Sequence, residues 1–473
     1  MNRPMSLRLS ALLGVVALLV VACSTAAPAT VRPATQAPAS QGPTAPPAAT
    51  ATPAAAASCQ TDEARTPVEV QGWWTTGGEA NGFNKIIDMF NTANPTLCVY
   101  NAAIAGGAGS VAQGRIKAAV LAGLPPDTFQ VHMGHELLDT YVNIPGGSVM
   151  APLDDMFAAN GWDAQFPQNV LDIISFEDHP YSVPLNIHRA NVLWYNKAVF
   201  TANNLTAPTT WAEFETVAAT LKTAGITPLA IGDSGIWANG MVFETILIGT
   251  LGADGFNGLW TGATAWDDPM VTAALEQYKR VLDPATGWIN TDHSSLSWDQ
   301  AVDKLIDGSA AMTIMGDWAN GDFTAKEFAD YGWAPAPGNN EIFQALSDSF
   351  GLPTEAPHPD ETKLFLTWLG SAEAQAIFNP YKGSIAANTT SGDPPAGELQ
   401  YNDYQKSAQV DWKANPIVPS MEHGAAANPA WSSAINDVLT AFVADLDVTA
   451  AQSALVTASG DFVTAARQTT ASR

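Results

Sequence analysis

Basic residues are scarce. The 473-residue chain holds 20 Lys and Arg against 46 Asp and Glu, a formal charge of −26. Such a surplus argues against nucleic acid or an anionic lipid surface as a partner. Cysteine occurs three times, too rarely for a disulfide-built scaffold. No G-x-S-x-G elbow is present, and no internal repeat. After the first apolar run, no segment offers eighteen uninterrupted apolar residues, so nothing later is expected to span a bilayer.

That first run, Leu12 to Val21, follows Arg3 and Arg8 and is too short and wrongly flanked for a spanning helix. It ends in Val20-Val21-Ala22-Cys23, which resembles the lipobox of bacterial lipoproteins. The resemblance implies a signal peptide over 1–22, cleavage before Cys23 and lipid on its thiol; an ordinary secretory signal is the alternative. Residues 24–58 are nearly all Ala, Pro, Thr, Ser, Gln and Gly. They cannot bury enough apolar surface to offset ordering entropy, so disorder is expected. With Cys23 they make a tether, residues 23–65, whose proline-rich part reaches at most roughly 100 Å.

The body from residue 66 exceeds the size at which one core stops growing, which predicts two lobes. Phe83, Ile86, Ile87 and Phe90 recur at helical spacing within Glu79–Asn91. Leu97–Ile104 reads as a strand, Arg115–Leu124 as a helix and Thr128–His132 as a strand, an alternation that predicts a parallel sheet with helices on both faces. Tyr181–Tyr195 is extended without helical period and holds Pro184, so it reads as a segment crossing between lobes; APAPG at 334–338 reads as a second. Helices are expected at Trp211–Ala224 and within Ala265–Leu282, and Ser297-Trp-Asp-Gln matches a capping box. Pro228–Ile231 and Ala310–Met315 read as strands. Cys59 lies just before the first strand and Cys98 opens the second; an exported context favours a disulfide over two free thiols.

Several motifs invite chemistry. AGGAGSVAQG at 105–114 fits a relaxed G-x-G-x-x-A dinucleotide fingerprint, with Asp127 near the distance for a ribose partner. An exported chain meets little nicotinamide, and a glycine-rich turn that lets a ligand approach the backbone is the simpler reading. His132-Met-Gly-His135-Glu136 lacks the further ligands of a zinc site, so no metal and no cofactor are expected. Asp154-Asp155 and Glu177-Asp178 are adjacent pairs, whereas glycoside cleavage needs carboxyls on opposite sides of one bond. They read as solvated faces or caps.

Aromatics are what the chain has in plenty, with fifteen tryptophans. Trp73 and Trp74 close the first strand, Trp298 starts a predicted helix, and Trp318 follows a buried strand. Indole planes cover the apolar faces of a hexose, and carboxylates, amides, imidazole and Lys bind its hydroxyl rim. Rim candidates at comparable edges are Glu79, Gln130, His132, Asp348, Lys382 and His423.

From Val68 to about residue 440 the chain resembles the glucose/mannose-type members of extracellular solute-binding protein family 1, the sugar-binding subunits of bacterial ABC importers. GWWTTGGEANGFNKIIDMFN, AGGAGSVAQGRIKAAVLAGLPPDTFQVHMGHEL, SVPLNIHRANVLWYN, LSWDQAVDKLIDGSAAMTIMGDWANG, YGWAPAPG, LSDSFGLP, FNPYKGSIAAN and HGAAANP carry the resemblance in order. It implies a two-lobed α/β fold of the type II periplasmic-binding-protein kind, with parallel-dominated sheets flanked by helices and hinged by crossing strands. Lobe 1 would comprise 66–187 plus 339–378, and lobe 2 188–338 plus 379–473. It implies glucose, with mannose or galactose as relatives, held by Trp73, Trp74, Glu79, Gln130, His132, Trp298, Trp318, Asp348, Lys382 and His423, with Gly106 and Gly107 approaching by backbone. It implies a membrane permease as partner, a monomer, attachment outside the cytoplasmic membrane by lipid alone, and no catalysis. WWTTGGE is one residue longer than the family spacing, so Gly78 is an alternative register for Glu79; Gly232–Met241 matches poorly. A binding protein for an oligosaccharide or polyol is the nearer alternative, an exported glycoside hydrolase the more distant.

Overall fold

Three short strands at the start of the body set the first lobe. Leu97–Asn101, Thr66–Gln71 and Thr128–His132 lie side by side and parallel, with Pro67 opposite Cys98 and Val70 opposite Thr128. The computed structural model describes residues 54–106 and 109–471. The expected signal segment, Cys23, the tether up to residue 53 and Gly107 lie outside the described residues.

Helix Gly77–Ala93 buries the predicted stripe of Phe83, Ile86, Ile87 and Phe90 against this sheet. Helix Ser110–Leu121 starts five residues before the expected Arg115, because Gly109 at φ 107° supplies a left-handed N-cap. The parallel register puts Cys59 and Cys98 at neighbouring ends, and they form a disulfide with Cα atoms 5.4 Å apart.

Tyr181–Tyr195 is not one strand but parts of three, each in a different sheet. Ser182–Pro184 closes the first lobe's sheet, Asn186–Arg189 joins a central sheet, and Val192–Asn196 enters the sheet of the second lobe. The second crossing runs the other way: Tyr331–Pro335 lies in the second lobe, Phe343–Leu346 in the centre and Asp348–Gly351 in the first lobe. Ile385–Ala386 and Ile417–Pro419 complete the central sheet. The second lobe adds Ala310–Ile314 and Thr227–Ala230 and is covered by helices Trp211–Thr223, Trp237–Thr261, Pro269–Leu282, Pro429–Asp445 and Val448–Ala471 around Phe214, Phe243, Tyr278 and Ile435. The fold is the two-lobed α/β arrangement hinged by crossing strands.

Three expectations need correction. The sheets are mixed rather than parallel-dominated, since strands arriving through the crossings pair antiparallel: Asp348–Gly351 with Thr128–His132, and Ala310–Ile314 with Val192–Asn196. The tether ends earlier than residue 65, because Ala54–Thr61 is a helix fastened by Cys59 and by a Gln60 amide to Tyr100 hydroxyl bond of 3.1 Å. The lobe boundary drawn after residue 378 falls inside helix Ala372–Lys382, whose last turn packs on Gly77–Ala93 with the first lobe.

That packing explains the Gly-Gly pair. A Cβ on Gly78 would stand 2.2 Å from the Tyr381 carbonyl oxygen and 2.6 Å from that of Gly321. Glycine here lets helices Gly77–Ala93, Ala372–Lys382 and Trp318–Ala325 meet backbone to backbone.

Candidate functional site

Where the three helices meet, a cleft of about 650 Å³ opens between the lobes. Its first-lobe wall is polar. Asp348 begins the last strand to enter that sheet, and antiparallel register places it opposite His132. Lys382 ends its helix, and Glu79 sits in the first turn of Gly77–Ala93. The two form an ion pair in which Lys382 is buried and Glu79 half-buried. The Lys382 ammonium also lies 5.2 Å from the Trp74 ring centre and 5.9 Å from that of Trp318.

Asp348 is the hub. One carboxylate oxygen accepts from the Gln130 amide at 2.8 Å, and the other from the Asn186 amide at 2.8 Å while lying 3.1 Å from His188 Nε2. Burial would raise its pKa, but His188, Lys382 and His132 outweigh burial and hold it far below the ordinary carboxylate range. His188 Nδ1 meets Asp317 of the second lobe, so one imidazole joins carboxylates from both sides of the hinge. Burial works to lower the His188 pKa; Asp317 reverses it and the net shift is upward. His132 is likewise raised against its own burial, by Glu136 at 2.6 Å.

The facing wall is aromatic. Helix starts deliver Trp237, Trp298 and Trp318, the second through the Ser297–Gln300 capping box expected from sequence. Trp318 lies 6.3 Å from Trp237 and 5.2 Å from the His423 ring. Trp73 faces them from the first lobe, 5.0 Å from His132.

Nine expected site residues line this cleft together: Trp73, Glu79, Gly106, His132, Trp298, Trp318, Asp348, Lys382 and His423. Glu79 and the alternative Gly78 both border the cleft, and Glu79 is the one that pairs with Lys382. Two do not line it. Trp74 is 1% exposed and packs on Phe83, Phe350 and Phe378, whereas Trp73, in the bend beyond strand Thr66–Gln71, borders the cleft. Gln130 lies beneath the surface, its amide consumed by the Trp73 backbone N–H and Asp348. Gly107 lies outside the described residues. Sequence reasoning missed His188, Trp237 and Glu422. Trp237 sits in the stretch that matched poorly, and His188 in a run read only as a crossing; a polar residue aligned with Asn186 two positions earlier was its one signal.

The rival motifs resolve structurally. Asp127 accepts the backbone N–H groups of Glu69 and His358, an internal tie. Glu177 and Asp178 form the left-handed turn of a short hairpin, and Asp154 and Asp155 lie in a helix first turn. His135 pairs with Asp139 on the surface. Among the described residues, no group of three His, Cys, Asp or Glu could hold a metal ion, and no helix is long and apolar enough to cross a membrane.

Residues 99–376 match the family of bacterial extracellular solute-binding proteins. The uncharacterized ABC transporter extracellular-binding protein PH1214 of Pyrococcus horikoshii is 34% identical over 398 residues, 83% of this chain and 87% of that protein. A probable sugar-binding periplasmic protein of Mesorhizobium japonicum is 28% identical over 386 residues, covering 80% of this chain and 88% of its own. Among solved structures, the bacterial solute receptor AcbH, described as preferring β-D-galactopyranose, superposes with a TM-score of 0.74 at 20% identity, over 85% of this chain and all of its own. Two lobes, crossing strands and a lined cleft agree with these likenesses, and the chain belongs to the bacterial extracellular solute-binding proteins.

Proposed function

We propose that the protein is the extracytoplasmic substrate-binding subunit of an ABC sugar importer, and that it binds glucose or a related hexose in the interlobe cleft without covalent chemistry. One observation carries this reading: indole surfaces from both lobes surround a buried set of charged hydrogen-bonding groups. Such a pairing suits a ring with apolar C–H faces and a hydroxyl rim. The names of the relatives support the same ligand class.

The first lobe binds the hydroxyls through Asp348, Lys382, Glu79 and His132. Trp298, Trp318 and His423 then complete the site from the second. The closed form is favoured only by the contacts the sugar adds there. Closure is read by a membrane permease, and lipid on Cys23 keeps the monomeric protein near it.

A longer saccharide is the second reading, favoured by Asn81, Gln113, Asp322 and Lys326, which extend the cleft past the inner cluster. Calorimetry with glucose, mannose, galactose and their oligomers separates the two. A monosaccharide with a Kd near micromolar, about −8 kcal/mol, is expected. Heat from oligosaccharides alone would move the assignment to the second reading, and none from any sugar would refute both.

A further inference from the structure

We propose that Ser420 and Glu244 are positioning residues that fix His423 as its Nδ1–H tautomer, leaving Nε2 as a permanent hydrogen-bond acceptor for one ligand hydroxyl. The ligand part of this rests on the sugar reading above; the tautomer does not.

Glu244 is fully buried within helix Trp237–Thr261. One of its oxygens accepts the Met421 backbone N–H. The other accepts the Ser420 hydroxyl at 3.1 Å and the Glu422 backbone N–H at 3.5 Å. On its far side, Ser420 Oγ lies 2.9 Å from His423 Nδ1. A serine hydroxyl has one hydrogen. Given to Glu244, it leaves Oγ as acceptor toward the ring, so Nδ1 must carry the proton. The reverse order would set two oxygens 3.1 Å apart with no hydrogen between them.

The reverse order would be relieved by a proton on Glu244, and the neighbouring Glu422 argues against that. Glu422 Oε2 accepts from the Asn436 amide at 2.9 Å. Glu422 Oε1 and Asn436 Oδ1 are both buried without a partner among the described residues. Both crowd Gly240, whose Cβ would stand 1.8 Å from the first and 3.1 Å from the second. A proton on Glu422 Oε1 would neutralise a carboxyl oxygen that no donor reaches. Burial pushes Glu244 up to about 7, and burial together with Glu244 pushes Glu422 well above the ordinary range. Of the two carboxyls, Glu244 receives three donors and Glu422 leaves one oxygen unpartnered, so the geometry places the proton on Glu422 and the charge on Glu244.

His423 itself is held neutral. Burial first, then His132 and His188, drive its pKa well below the ordinary histidine value, Asp348 opposes them and Lys382 adds to them. A neutral ring with its proton on Nδ1 presents a bare Nε2. Among the polar groups of the cleft this one has a fixed polarity set from behind: it takes a hydroxyl hydrogen and rejects an atom that can only accept. His423 thereby discriminates a hydroxyl from an ether or fluorine at the same ligand position.

Nitrogen-15 spectra of the full-length, histidine-labelled protein test this, with the His423 signals assigned by their loss in His423→Gln. At neutral pH, ligand-free wild type is expected to show a protonated Nδ1 and a bare Nε2. Ser420→Ala should populate the Nε2–H tautomer and weaken the best sugar by about fivefold, the worth of one hydrogen bond. Ser420→Thr should restore both. A wild-type Nε2–H ring, an imidazolium, or a tautomer unmoved by Ser420→Ala would overturn the proposal. An Nδ1–H ring in a protein that binds no sugar would uphold the tautomer and overturn the functional reading.

Discussion

The two walls of the cleft are built on different principles. On the first lobe, polar groups are tied to one another before any ligand arrives: Asp348 to Gln130, Asn186 and His188, Glu79 to Lys382, His132 to Glu136. On the second, three indoles stand at helix starts with far fewer directional ties, and Trp237 and Trp298 remain only partly buried. The first wall is preorganised, which lowers the ordering cost of binding. The second offers area, which is less sensitive to orientation. Directional ties therefore dominate the first wall, and surface, His423 apart, the second.

Substitutions that separate packing from binding break this comparison most sharply. Trp74→Ala should cost about 3–5 kcal/mol of stability, the usual range for emptying a buried tryptophan, whereas its neighbour Trp73→Ala should leave unfolding midpoints nearly unchanged and weaken ligand. Urea melts of both variants check this. Next in size is Asp348→Asn. Removing the charge from a buried hub should cost about 3 kcal/mol in affinity, more than a hundredfold, as read by calorimetry. Trp298→Ala should cost about tenfold, since partly exposed indole surface contributes roughly 1–2 kcal/mol. Trp318→Ala should lower stability as well, because Trp318 is 6% exposed and its helix joins the lobes.

The smallest effect is a pH dependence. His188 has a folded pKa raised above its ordinary 6.5. Its ion pairs contribute fully below that value and fade as pH rises through the raised one. Asp348 is opposite in sign: depressed below 3.8, it contributes above that value and fades only as pH falls through its lowered one. Wild-type melting temperature should decline toward alkaline pH, and His188→Gln should flatten that slope. Equal slopes in both would remove His188 from the hinge account.

Local chemistry was legible in the sequence. The capping box at Ser297, the stripe from Phe83 to Phe90 and the strand Thr128–His132 each follow from contacts within a few residues, and each stands where expected. What depends on which sheet a strand joins was not. Trp73 and Trp74 look alike in sequence, and the bend beyond the strand end at Gln71 decides which one faces the core. His188 and Asp317 lie 129 residues apart and meet because Ala310–Ile314 pairs antiparallel with Val192–Asn196 and ends beside the first crossing, a relation no local pattern carries. Gln130 was rightly placed at a strand's carboxyl end, yet Gly72 and Trp73 fold over it and claim its amide.

A crystal structure of the protein grown with glucose tests the central claim most directly. The account predicts one pyranose between the lobes, its faces against the indoles of Trp298 and Trp318 and its hydroxyls on Asp348, Lys382 and His423. A sugar bound elsewhere, or an occupied cleft whose contacts avoid these side chains, would contradict it.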